Sequence, residues 1–286
     1  MLIETRDCLH SLAKFFYISH NFKNCCLNVF SVVVSTDTQR VSTVSHVSLK
    51  KGGSITIPCL YNQRYRNNVK YWCRGYYWSG CSTVVRTDHP KTSGKTSISD
   101  DINQRVFTVT MTNLSPSDSD YYWCVVDRKN ESPIYIGVFF IRLIQSQPLS
   151  LCSGTPEIYV DQQELTGVVG GSVTVLCYYS TLEVSGRWCR MGGSCVAVGR
   201  SVALDGTFVK LQQEQRETSN GYVLMVTMSG LRIENTGWYW CEKGDLQMPV
   251  HITVNQLTTT QISLLELLYN FCLSQRHKFQ PLTRLH

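Results

Sequence analysis

The sequence predicts an all-β protein made of two tandem sandwiches, and three observations predict it. A set of motifs recurs in the same order at an offset of 116 to 118 residues. Inside each copy, short runs alternate apolar and polar residues between turn residues, which is the pattern of half-buried strands. Each copy also holds the same cysteines and aromatics at nearly the same spacing.

The repeat is legible in four blocks. "GGSITIPC" (Gly52 to Cys59) returns as "GGSVTVLC" (Gly170 to Cys177), and "YWCR" from Tyr71 returns as "RWCR" from Arg187. "TVTMTNL" from Thr108 answers "MVTMSGL" from Met225, and "YYWC" from Tyr121 answers "WYWC" from Trp238. Side chains alternate faces along a strand. Ile55, Ile57 and Cys59 therefore share one face, as do Val173, Val175 and Cys177. Phe107, Val109 and Met111 form a later inward face, matched by Leu224, Val226 and Met228. Neither copy has a stretch of sustained helical periodicity.

The spacing sharpens this to an immunoglobulin fold. That fold places a cysteine on strand B, a buried tryptophan on strand C, and on strand F a second cysteine with a tyrosine two positions before it. The first copy supplies Cys59, Trp72, Tyr122 and Cys124, and the second Cys177, Trp188, Tyr239 and Cys241. Separations of 65 and 64 residues between the paired cysteines suit the longer variable-type domain. "DSDYYWC" should bring Asp118 to a cation at the start of strand D, for which Lys95 is the candidate; the second copy has Asn235 instead and should lack this ion pair.

Parity also places a second pair of cysteines. With Trp72 pointing inward, Cys73 must face outward, so it is expected to join Cys81 across the C to C′ hairpin on the solvent side. Cys189 and Cys195 repeat the arrangement around "RMGGS". Tyr76, Tyr77 and Trp78 lie in the first hairpin, with Trp123 expected near its base. These rings either anchor a partner, as exposed aromatics on a rigid platform do, or cover the disulfide and one another.

The organisation follows. Residues 1–40 are read as a poorly defined segment or a displaced signal, with an apolar run at "CCLNVFSVVVS"; 41–143 and 157–255 are two variable-type domains; 144–156 is a linker; and 256–286 is a tail. Its run "ISLLELLYNFCL" has twelve residues and includes Glu266, short of the roughly 20 apolar residues that span a bilayer. Thirteen cysteines without zinc-type spacing point to an oxidising compartment. Cys8, Cys25, Cys26, Cys152 and Cys272 lie outside the two sandwiches.

"KYWCRG" with its outward second disulfide, "DSDYYWC", "GWYWC", "GRWCRMGGSC" and "GDLQMPVHITV" resemble the polymeric immunoglobulin receptor family and the related CMRF-like leukocyte receptors, over roughly residues 41 to 255. The resemblance implies a cell-surface receptor of immune or epithelial cells, on the extracellular side of the plasma membrane. Such relatives bind immunoglobulin or anionic lipid through the loops of the distal domain and signal through tyrosine motifs or a membrane-paired adaptor. The late tyrosine Tyr269 has Cys272 where an inhibitory motif needs an aliphatic residue, so signalling by this chain alone is not expected.

Charge is uneven. Residues 49–142 hold thirteen Lys and Arg against seven Asp and Glu, a net +6, whereas residues 157–255 hold seven against ten, a net −3. Arg64 and Arg66 fall in the loop after strand B, and Arg128 and Lys129 in the loop after strand F, which meet at one end of a variable-type sandwich. This cationic tip is either a site for an acidic partner or a solvated rim. Asp127 and Glu131 are two carboxylates that a calcium ion could share, a weak signal by themselves. Asn113 and Asn130 are glycosylation sequons, each followed by proline. No cofactor is expected. "HPKTSGKT" has His89 where a phosphate-binding loop needs its first glycine, the histidines lack catalytic or metal spacing, and no dense basic run suits nucleic acid. The leading expectation is a receptor ectodomain binding an acidic ligand through its first domain. A secreted binder or decoy form and a structural adhesion protein are the alternatives, and an enzyme is not expected.

Overall fold

The computed structural model describes residues 41–89, 94–144, 157–180, 186–204, 206–215 and 221–256. The amino-terminal segment with Cys8, Cys25 and Cys26, the linker beyond Ile144 with Cys152, and the tail with Tyr269 and Cys272 lie outside those residues.

Two sandwiches are present. The first contains β1 (Val41–Ser42), β2 (His46–Lys50), β3 (Ile55–Tyr61), β4 (Lys70–Arg74), β5 (Ser82–Arg86), β6 (Thr96–Asp101), β7 (Val106–Met111), β8 (Tyr121–Val126) and β9 (Ile134–Ile144). One sheet runs β1-β3-β7-β6, and the facing sheet runs β2-β9-β8-β4-β5. The second sandwich contains β10 (Ile158–Val160), β11 (Glu164–Val168), β12 (Ser172–Tyr179), β13 (Arg187–Arg190), β14 (Cys195–Ala197), β15 (Ser201–Leu204), β16 (Thr207–Gln215), β17 (Tyr222–Ser229), β18 (Gly237–Lys243) and β19 (Leu246–Asn255). Its sheets run β10-β12-β17-β16-β15 and β11-β19-β18-β13-β14. In each sandwich an early strand crosses over to lie parallel to the last one, β2 on β9 and β11 on β19, as variable-type domains arrange them. A single bridge, His46 to Leu246, joins the second sheet of one domain to that of the other.

The inward faces are those that alternation predicts. Ile55, Ile57 and Cys59 pair with Met111, Val109 and Phe107 across β3 and β7, and all six are buried. Val173, Val175 and Cys177 pair likewise with Met228, Val226 and Leu224. Trp72 and Trp188 are both at 0% exposure, stacked on Tyr122 and Tyr239 with ring centroids 5.2 Å apart in each domain. Gly52 and Gly170 occupy the same turn before β3 and β12 at φ 80° and 77°, a left-handed conformation that favours glycine.

The tyrosine corner closes each domain. The Tyr122 hydroxyl donates to the Asp118 carbonyl, and the Tyr239 hydroxyl to the Asn235 carbonyl, both at 2.9 Å. Burial, aided by the nearby carboxylates and opposed by Arg74, pushes the Tyr122 phenol up to about 12, so it stays a neutral donor. Asp118 is ion-paired with Lys95 and accepts from the Ser115 amide at 2.6 Å and the Ser115 hydroxyl at 2.7 Å. In the second domain Asn235 takes the place of that aspartate, accepting from the Thr207 hydroxyl and from the Arg232 amide at 2.7 Å.

Asp118 carries a pH dependence. Burial disfavours its charge, but Lys95 and the two Ser115 donors outweigh that effect and hold its pKa below the usual carboxylate range. The folded value is thus depressed, so the stability it contributes is present above the unfolded value and lost as pH falls through the folded one. The melting-temperature gap between wild type and Asp118→Asn should be widest near about pH 7 and narrow towards about pH 2. A constant gap across calorimetric scans in that range would refute the assignment.

Candidate functional site

The register of β4 on β8 sets the two ends of the first domain. Lys70 lies opposite Val126 and Arg74 opposite Tyr122, so the loop before β4 and the loop after β8 meet at one end while the hairpin after β4 starts at the other. The proposed tip residues and the aromatic hairpin therefore do not form one patch.

At the tip, the loop before β4 carries Arg64 in a short 3-10 turn, Gln63–Tyr65, followed by Arg66. Asn62 caps this turn by accepting from the Arg64 amide at 3.1 Å. The loop is tied to its neighbour: the Asn68 amide side chain donates to the Asp127 carbonyl, and the Asp127 amide donates to the Val69 carbonyl, each at 2.8 Å. Between them opens a cavity of about 440 Å³, whose lining includes Arg64, Tyr65, Asn68, Lys129, Asn130 and the Arg128–Glu131 pair.

Not every cation there is available. The Arg128 guanidinium is paired with Glu131, and its Nε donates to the Ser132 carbonyl at 2.8 Å, so it braces the loop after β8. Arg86 bonds Asp88 at 2.9 Å and Asp127 at 3.1 Å, which raises its pKa above the ordinary value. Asp127 and Glu131 each face an arginine, so the two carboxylates flagged for calcium are engaged separately. Arg64, Arg66 and Lys129 are exposed and make no ion pair among the described residues. Sequence reading grouped Arg128 with these three. Its salt bridge sits at i,i+3 spacing, the signal that would have set it apart.

Among the described residues four disulfides are formed: Cys59–Cys124, Cys73–Cys81, Cys177–Cys241 and Cys189–Cys195. The hairpin sulfurs lie on the outer face, but Cys73 is 1% exposed rather than turned to solvent. Parity selects a face and says nothing about what covers it. Here Trp123, bonded through its indole N–H to the Gly75 carbonyl at 2.8 Å, packs with Tyr71, Val125 and Trp78 into a second small core. Trp78 stacks on Tyr135 with centroids 4.4 Å apart. The rings divide their roles: Trp78 and Trp123 cover the disulfide, whereas Tyr76 and Tyr77 stay 58% and 72% exposed.

In the second domain Cys189 is likewise buried rather than turned to solvent, with Trp240 opposite it as Trp123 is opposite Cys73. The outer disulfide there lies beside Glu242, whose carboxylate pairs with Arg187 and accepts from Trp240 Nε1 at 3.1 Å and Gln247 Nε2 at 3.2 Å. Cys189, Cys195 and Glu242 form a cluster of metal-type atoms, but the two sulfurs are bonded to each other and offer no thiolate. Asn113 is exposed in a turn at φ 49°, and Asn130 is exposed on the rim of the tip cavity, where a glycan would crowd it.

Comparison with known proteins places this geometry. Residues 42–138 match the immunoglobulin V-set domain. Mouse CMRF35-like molecule 3 is 38% identical over 98 residues, covering 33% of this chain and 40% of that protein. Mouse polymeric immunoglobulin receptor is 27% identical over 221 residues, covering 72% of this chain and 26% of that protein. The crystal structure of a teleost fish polymeric immunoglobulin receptor ectodomain is 33% identical in sequence over 77% of this chain and 100% of that one, with a TM-score of 0.35. The chain is thus homologous to the polymeric immunoglobulin receptor and the CMRF35-like molecules, with an immunoglobulin V-set domain over residues 42–138. It spans less than half the length of those two curated mouse relatives. The structure is that of a receptor-like ectodomain of tandem immunoglobulin domains. No helix among the described residues is long and apolar enough to cross a membrane.

Sequence reading missed Lys70. It is fully buried beneath the tip, its Nζ 2.9 Å from the Asp100 carboxylate. The signal was available, because Lys70 stands two positions before the inward Trp72 and so shares its face.

Proposed function

We propose that this chain is the ligand-binding part of a cell-surface receptor, displayed on the extracellular side of the plasma membrane, that captures an acidic ligand at the tip of its first domain. The observation that carries the reading is the set of three exposed cations without ion-pair partners among the described residues, Arg64, Arg66 and Lys129, with Arg64 and Lys129 on the cavity wall. Their neighbours Arg86 and Arg128 are already neutralised. A cationic concavity raises the local concentration of an anionic partner and orients it on approach. The relatives support the receptor role, and the name of one identifies polymeric immunoglobulin as its ligand class. Tyr76 and Tyr77 offer a separate aromatic contact on the same domain.

The test is a double charge reversal, Arg64→Glu with Lys129→Glu, probed against immobilised polymeric immunoglobulin and against phosphatidylserine–phosphatidylcholine vesicles. Binding should weaken about tenfold or more, and the wild-type affinity should fall with added salt. Arg128→Glu should act differently, loosening the loop after β8. Equal binding by wild type and the double variant on both probes would remove the tip from the account. Flow cytometry of cells expressing the full transcript separates a surface receptor from a secreted binder, since recovery only in the medium would reject the former.

A further inference from the structure

We infer that Lys70 is a positioning residue for the cationic tip, an ammonium group buried below the loop to fix the backbone that presents Arg64 and Arg66. Its binding arm rests on the proposed tip function, and its structural arm does not.

Three groups converge on Lys70. Its Nζ lies 2.9 Å from Asp100 Oδ2, donates to the Arg66 carbonyl at 2.8 Å, and stands 4.1 Å from the centroid of the Tyr61 ring. The Tyr61 hydroxyl donates to the other Asp100 oxygen at 2.7 Å. The Lys70 side chain is 0% exposed and that of Asp100 16%. Burying an ammonium is costly unless its donors are met, so one that persists with a carboxylate, a carbonyl and an aromatic face around it is tightly determined in position. Strands β3 and β6 hold two of these partners, β4 carries Lys70 itself, and the third partner is the main chain of the tip loop. The ammonium therefore ties the loop to three framework strands at once.

The duplicated domain shows that the fold does not need this device. Cys59 and Cys177 are equivalent, which aligns Tyr61 with Tyr179, while Trp72 and Trp188 align Lys70 with Gly186. Asp100 pairs with Phe107 and Gln213 with Leu224, so Gln213 stands where Asp100 does. The second domain keeps the tyrosine but has neither the lysine nor the aspartate. The Tyr179 hydroxyl there is buried without a hydrogen-bond partner among the described residues. It forms the same sandwich, with its tryptophan stacked on its corner tyrosine in the same way. The lysine and aspartate belong only to the domain whose tip is cationic.

The experiment uses the full chain with Lys70→Met, which keeps an unbranched stem without the charge, Asp100→Asn as an independent second variant, and Lys70→Arg as the conservative one. Hydrogen exchange at residues 65–68 is followed beside that of β4 and β8, together with binding to phosphatidylserine–phosphatidylcholine vesicles. Lys70→Met should exchange about tenfold faster at 65–68 with the strand amides unchanged, Asp100→Asn should show the same pattern more weakly, and Lys70→Arg should stay near wild type. Vesicle binding should weaken in the same order. Unchanged exchange at 65–68, or equal loosening of loop and strands in both Lys70→Met and Asp100→Asn, would overturn the positioning role. If the wild type fails to bind vesicles or immunoglobulin, the tip function falls, while the exchange pattern still decides what Lys70 does.

Discussion

Replacing Cys177 and Cys241 together by alanine is expected to cost the second domain about 4 kcal/mol, whereas removing Cys189 and Cys195 should cost about 2 kcal/mol. The difference comes from the loops closed, 64 residues against 6, because a cross-link restricts the unfolded chain more when its ends are far apart in sequence. Stabilities of single domains are commonly about 5 to 15 kcal/mol, so the first loss is a large share of the total. The core should partly compensate, since Trp188 stays stacked on Tyr239 and the flanking Val175, Leu224 and Val226 are buried. Urea unfolding followed by tryptophan fluorescence gives both numbers. If the two double variants lose equal stability, loop length is not the controlling quantity, and the buried sulfur packing in each site would have to account for it.

The strand pattern was legible because it depends on local alternation. Ile55, Ile57 and Cys59 face inward for the same reason that Val173, Val175 and Cys177 do, and the repeat supplied each assignment twice. Asp118 and Lys95 were also within reach, since the turn before strand F has one geometry and needs one cation. What escaped depends on contacts between distant segments. The burial of Cys73 comes from Trp78 reaching across the face to Tyr135, on a strand that begins at Ile134. Arg86 meets Asp88 two positions on, but its second carboxylate, Asp127, comes from the far side of the domain's sequence.

Lys70 is a different kind of miss. The face was correctly determined by the neighbouring tryptophan, but a lysine is almost never fully buried unless it is paired. Its partner Asp100 lies thirty residues on, at the end of an edge strand whose other side chains alternate between half-buried and exposed. The tip was consequently legible as a cluster of charge and not as an arrangement of charge. Separating the exposed cations from the bracing ones required knowing which carboxylate each guanidinium meets.

Gln163→Ala should release the two domains from each other while leaving each folded. The Gln163 side-chain amide reaches the edge of β3 at Thr56, where β1, which pairs only with Leu60 and Tyr61, does not extend. Its Oε1 accepts from the Thr56 amide at 2.9 Å, and its Nε2 donates to the Thr56 carbonyl at 3.1 Å and the Pro249 carbonyl at 2.9 Å. A primary amide thus pairs with an open strand edge as another strand would, covering groups that otherwise invite association. Only the two bonds to Thr56 cross between the domains, and at about 1 kcal/mol net each they give roughly 2 kcal/mol of coupling, enough to favour one orientation. The Ser45 ties lie elsewhere and cannot replace the glutamine at Thr56, since the Ser45 amide donates to Gln247 Oε1 at 2.9 Å and its hydroxyl to the Asp245 carbonyl at 2.8 Å. Those bonds should survive in the variant and act as a hinge. Small-angle scattering should therefore show a broader distance distribution for Gln163→Ala, with the melting temperatures of the separate domains little changed. An unaltered scattering profile would mean that the strand bridge from His46 to Leu246 and the Ser45 contacts hold the domains without the glutamine.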